Sequence, residues 1–187
     1  MNRFSISVGL VYAGFLACPV VCQTTPQPGP SKLQVVVRAD RETYRISDTV
    51  RLETDLVNTG EQDVYVWNWD LCWNPARGLS LHFVTPDGTF AKGKVLLDCV
   101  KPPPLKGDPY QFVKLEPMRF HGRVDDFKIA DLVEAPGEYD VEVTFSSFLS
   151  PKWIGEFYAD QAVAKLPLWT MSQPALRSAR IHLRILP

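Results

Sequence analysis

Cysteine is scarce in this sequence, histidine scarcer, and net charge almost absent, and each shortage removes a class of protein. Four cysteines in 187 residues are too few for a disulfide-built scaffold. Twenty basic against 21 acidic side chains give a formal net charge of −1. Nothing electrostatic therefore draws the chain to nucleic acid or to an anionic membrane face. No Gly-x-Ser-x-Gly elbow and no phosphate-cradling glycine loop occurs, so the serine-hydrolase and nucleotide-binding motifs are missing. A sustained 3.6-residue apolar period with caps is missing too, which argues against a helical domain. What is present is a chain with 45% hydrophobic residues, too apolar for disorder. Its length suits one domain, since a chain of about 150 residues buries roughly 70% of its unfolded surface.

The first 22 residues read as an export signal. Arg3 precedes a mostly apolar stretch from Phe4 to Val21, and the polar run Gln23, Thr24, Thr25, Pro26 follows. A positive start, an apolar middle and small residues at the exit are the pattern of a secretory peptide. A membrane anchor wants about 20 unbroken apolar residues, and Ser5, Ser7, Gly9, Gly14 and Pro19 interrupt this run. Two processing routes remain open. Cutting after Cys22 gives a soluble product with Cys72 and Cys99 as an even pair. Alternatively, Gly14-Phe15-Leu16-Ala17-Cys18 resembles a bacterial lipobox, with lipid carried on Cys18 and a membrane contact only in that case. Parity favours the soluble form. In an oxidising compartment Cys72 and Cys99 are then expected to pair. Closing that 27-residue separation would add about 3.5 kcal/mol in the chain-entropy model. Two buried thiols are the plainer alternative.

Residues 23–32 are Pro-, Thr- and Gln-rich and read as a linker. From Leu33 onward, through 33–187, apolar and polar residues alternate. Leu33, Val35 and Val37 do so, as do Val50, Leu52, Thr54 and Leu56; Tyr139, Val141, Val143 and Phe145; and Ala179, Ile181, Leu183 and Ile185. This is the pattern of a sheet with one dry face and one wet face. Less regular strands are expected at Val64–Trp69, Leu79–Thr85, Val95–Val100 and Arg119–Phe127, and at most a turn of helix at 160–165. The expectation is an all-β, antiparallel two-sheet sandwich, immunoglobulin-like, of about seven to nine strands.

Tyr44, Ile46, Asp48, Val50 and Leu52, followed by Leu56, Asn58 and Gly60, resemble the opening of many bacterial immunoglobulin-like domains. Pro136-Gly137-Glu138-Tyr139-Asp140-Val141 is similar to the start of strand F, which implies that Tyr139 is a tyrosine-corner residue. The chain departs from antibody-type domains in having no cysteine pair on strands B and F. A more distant resemblance is to bacterial immunoglobulin-like proteinase inhibitors. It implies inhibition of a protease as one activity, although those proteins are typically intracellular.

Few residues suggest chemistry. His82, His121 and His182 form no ligand motif, and His82 and His182 fall on polar strand positions. Asp125, Asp126 and Asp131 lack calcium-loop spacing and read as a solvated loop. No cofactor is expected. Two features stand out. Tyr65, Trp67 and Trp69 recur at spacing two, with Val64 and Val66 between them. They form either an inward anchor of the core or an exposed aromatic row able to stack on sugar rings. The second feature is the 147–178 connection, which carries Phe148, Trp153, Phe157, Tyr158, Leu166, Leu168 and Trp169 without a strand period. A connection of that length is often functional, or else it is a flap over an open sheet edge. The expected function is an exported, non-catalytic binding module that uses this connection against a protein or cell-envelope partner. The alternatives are a carbohydrate-binding module through Tyr65, Trp67 and Trp69, or the proteinase inhibition implied above.

Overall fold

The computed structural model describes residues 33–93, 98, 111–158 and 162–187. The export signal, the linker, Cys18, Cys99 and, apart from Asp98, the strand expected at 95–100 lie outside these. Among the described residues ten strands fall into three groups. Strands β1 (Leu33–Ala39), β3 (Thr49–Asn58) and β7 (Phe120–Lys128) form one antiparallel sheet in the order β1-β3-β7. Strands β2 (Thr43–Arg45), β10 (Ile181–Leu186), β8 (Gly137–Ser146) and β5 (Gly78–Val84) form a second sheet in that order, and β9 (Leu176–Arg177) adds to β8. A ribbon of β4 (Val64–Trp67) and β6 (Phe112–Leu115) completes the set. The fold is the expected all-β sandwich. Three details differ from the expectation: the described residues hold ten strands rather than seven to nine, the ribbon is a third sheet, and the short pairing of β2 with β10 is parallel.

The alternation places the core as the period of two requires. Leu33, Val35 and Val37 of β1 and Val50, Leu52 and Leu56 of β3 are buried, facing Val141, Val143 and Phe145 of β8 and Leu183 and Ile185 of β10. Each such side chain stabilises by about 1.5–3 kcal/mol when fully buried. The core has two ends. Trp73, Val66, Leu115, Phe145 and Trp169 fill one, and Tyr44, Val50, Ile129, Tyr139 and Ile185 fill the other.

The residues behind the expected opening and corner make specific bonds. The Asn58 carboxamide is fully buried, donates to the carbonyls of Gln62 and Leu115 at 2.8 Å each, and accepts from Gly60 N–H at 2.9 Å. It ties the end of β3 to β6. The Tyr139 hydroxyl donates to the Ala135 carbonyl at 2.8 Å, the bond that a tyrosine corner makes. The Pro86-Asp87-Gly88 turn forms, with Gly88 at φ +85, a conformation open to glycine at no steric cost. An isolated bridge from Val84 to Phe90 follows it.

Helix was underestimated. Ile129–Leu132 (α1) and Pro151–Tyr158 (α2) are helical, and Ala162–Lys165, in the stretch where at most a turn of helix is expected, is a 3-10 turn. The start of α2 is legible in retrospect. The Ser150 hydroxyl accepts the Trp153 N–H at 3.0 Å, Pro151 takes the first helical position, and Lys152 pairs with Glu156 one turn on. These are standard helix-start signals, in a segment too short to show an apolar period.

Candidate functional site

Strand β4 is buried on both faces, which its sequence of Val64, Tyr65, Val66 and Trp67 permits. Val64 and Val66 enter the core, and Trp67, on the opposite face, is 0% exposed. What covers Trp67 is the 147–178 connection. Trp153 of α2 meets it edge-on, with ring centroids 6.0 Å apart. The Tyr158 hydroxyl donates to the Gln111 side-chain oxygen at 2.7 Å, and Trp67 Nε1 points at the same oxygen from 3.4 Å. The Tyr158 ring also packs edge-on against Phe112. Further along, the connection joins β4 as a parallel neighbour. Tyr65 N–H donates to the Pro167 carbonyl at 3.0 Å, and Trp169 N–H donates to the Tyr65 carbonyl at 2.8 Å. Those bonds close the free edge of a strand that would otherwise present unpaired backbone.

Trp67 therefore cannot belong to an exposed aromatic row. Nor does Trp69 line up with it, because β4 ends at Trp67 and Asn68–Leu71 turns as a 3-10 helix. Tyr65 and Trp69 are each half-buried. Of the aromatics in the connection, Tyr158 and Trp169 are buried, while Trp153 and Phe157 are half-buried. Among the described residues the Trp169 indole N–H has no hydrogen-bond partner.

A buried carboxylate anchors the connection where it leaves β8. Asp70 Oδ2 receives the Ser147 hydroxyl, and Oδ1 receives Phe148 N–H at 2.8 Å. Ser147 Oγ also accepts Leu149 N–H at 3.0 Å. A carboxylate out of water is costly unless its oxygens are bonded, so the 3-10 turn and residues 147–149 hold each other in place. Sequence reading missed Asp70 because a single acid inside an aromatic run carries no pattern.

A second polar cluster stands beside Cys72. Arg123 grips Asp125 with two bonds of 2.6 Å, reaches Asp98 at 2.7 Å, and donates to the Leu71 carbonyl at 2.8 Å. Trp73 Nε1 donates to Asp125 at 3.1 Å, and Trp73 N–H donates to Asp98 at 2.8 Å. Asp125 and Asp126 thus lie on strand β7 and Asp131 in α1, rather than in a solvated loop, and Asp125 accepts from the Arg123 and Trp73 side chains. Cys72 is disulfide-bonded.

The histidines stay apart. His82 is half-buried on β5 with its pKa lowered by burial, His121 is exposed, and His182 is exposed between two acids. Among the described residues no group of three or more His, Cys, Asp or Glu is placed to hold a metal, and no helix is long and apolar enough to cross a membrane. No family model matches this sequence, and no curated protein matches it either.

Proposed function

We infer that the protein is an exported, non-catalytic binding module whose contact surface is the 147–178 connection, centred on α2. One observation carries the reading. Helix α2 buries only Tyr158, while Trp153, Ile154 and Phe157 remain half-buried on a surface element that packs no deeper. Partly exposed aromatic and aliphatic side chains on one short helix are the composition of a protein contact. A glycan is the less favoured partner, since Trp67 is unavailable for stacking. The soluble form, rather than one anchored through Cys18, agrees with a Cys72–Cys99 pair. Asp98 is bonded to Trp73 in both directions, which supports that pairing by bringing the neighbours of the two cysteines together.

The test uses a photo-crosslinking residue at Lys152, which is well exposed, with Glu134 as the control site in the producing cell. A discrete adduct from position 152 and none from 134 is expected. Gly155 faces open space, so Gly155→Arg in the same chain should remove the adduct and leave Tm unchanged. Equal labelling from both sites would overturn the reading.

A further inference from the structure

Among the described residues strand β7 is an edge, with β3 as its one ladder partner. Asn58 N–H donates to the Arg119 carbonyl, and in an antiparallel ladder such bonded pairs alternate. The pairs Leu56–His121, Thr54–Arg123, Leu52–Asp125 and Val50–Phe127 are therefore the hydrogen-bonded ones. Phe120, Gly122, Val124 and Asp126 turn their N–H and C=O groups away from β3, and among the described residues nothing receives them. The same four residues carry the outer face of the sheet, where Phe120 is 63% and Val124 51% exposed. A strand of nine residues with an open backbone and exposed apolar side chains is a template for another strand.

The charges of β7 select which strand. Arg123 and Asp125 lie on its other face, two residues apart, with Val124 between them at the midpoint of Phe120–Lys128. We propose that the occupant is β7 of a second copy, paired antiparallel about a two-fold axis at Val124, so that the two three-stranded sheets become one of six. In that register Arg123 stands opposite Asp125 of the partner subunit, Phe120 opposite Lys128 of the partner subunit, and Val124 opposite itself. All nine residues of the strand are used, and the outward backbone groups meet in bonded pairs. Centring on Arg123 would set two arginines face to face, and centring on Asp125 two aspartates. Directly opposed like charges destabilise a ladder. An edge contact of this length is smaller than a standard interface, so the dimer is weak and concentration-dependent.

Sedimentation velocity on the purified protein from about 10 µM to about 1 mM covers the range in which a below-standard interface associates. The sedimentation coefficient should rise with concentration. Val124 is exposed, so Val124→Lys and Val124→Asp should each fold and each weaken association at least tenfold. Mixing the two should restore it, because only a two-fold axis at residue 124 sets the new lysine against the new aspartate. A monomer at every concentration, undiminished association of Val124→Lys, or mixing without recovery would each overturn the proposal, the last by pointing to a different surface or strand.

Discussion

At the scale of single residues, the bonds that matter are made by side chains whose partners lie far along the chain. Asn58 reaches Leu115 across 57 residues, and Ser147 reaches Asp70 across 77. His182 is the residue with a pH signature. Its Nε2 lies 2.8 Å from Glu138 and its Nδ1 3.1 Å from Asp140. Both nitrogens face acceptors, and only the protonated ring can donate to both. Hydrogen bonds to Asp140 and then to Glu138 raise the pKa above 6.5, with Arg184 and Arg180 also close to those acids. A histidine whose pKa is raised on folding adds stability that is full below its unfolded pKa and is lost as pH climbs through the folded one. The site is exposed, so the contribution is at most about 0.5 kcal/mol. The Tm difference between the wild type and His182→Asn should therefore be largest near pH 5.5 and should close by about pH 9. A gap that widens with pH would contradict the doubly bonded imidazolium.

Among the elements, strands were legible and α2 was not. Period-two alternation announces a strand in four or five residues, as at Tyr139 to Phe145. A helix of eight residues offers only two turns in which to show its period, and its cap at Ser150 sits in a stretch that otherwise reads as irregular. The aromatic row stayed open between burial and exposure for a related reason: alternation places Tyr65 and Trp67 on one face but cannot say that a connection 80 or more residues later will lie over it. Ser150→Ala removes the cap, worth about 1 kcal/mol. Amide exchange in α2 should quicken about fivefold while exchange in β8 stays unchanged. Gly155 lies inside the helix in open space, so Gly155→Ala should slow α2 exchange by a similar factor, given about 1 kcal/mol between glycine and alanine in helices. Exchange that changes equally in β8 would mean that α2 unfolds only with the whole domain.

For the whole molecule, the polar cluster of Arg123, Asp125, Asp98 and Trp73 holds the segment around Cys72 against β7. If Cys72 is joined to Cys99, Cys72→Ser should lower stability by about 3.5 kcal/mol by the loop-entropy estimate, read from urea unfolding with an unchanged native spectrum. A non-reduced digest that links Cys72 to another cysteine would refute the pairing. The sandwich class was legible because it follows from local alternation. The ribbon, the flap and the clamp at Asp70 were not, because each depends on distant segments meeting. The parallel contact of β2 with β10 has one last consequence. Residues 181–186 sit between β2 and β8, so an early strand waits for a late one before its neighbour exists. A nascent chain paused short of residue 181 could join β8 to β5 but would leave β2 without a neighbour, so β10 is the strand that unites the two parts of that sheet.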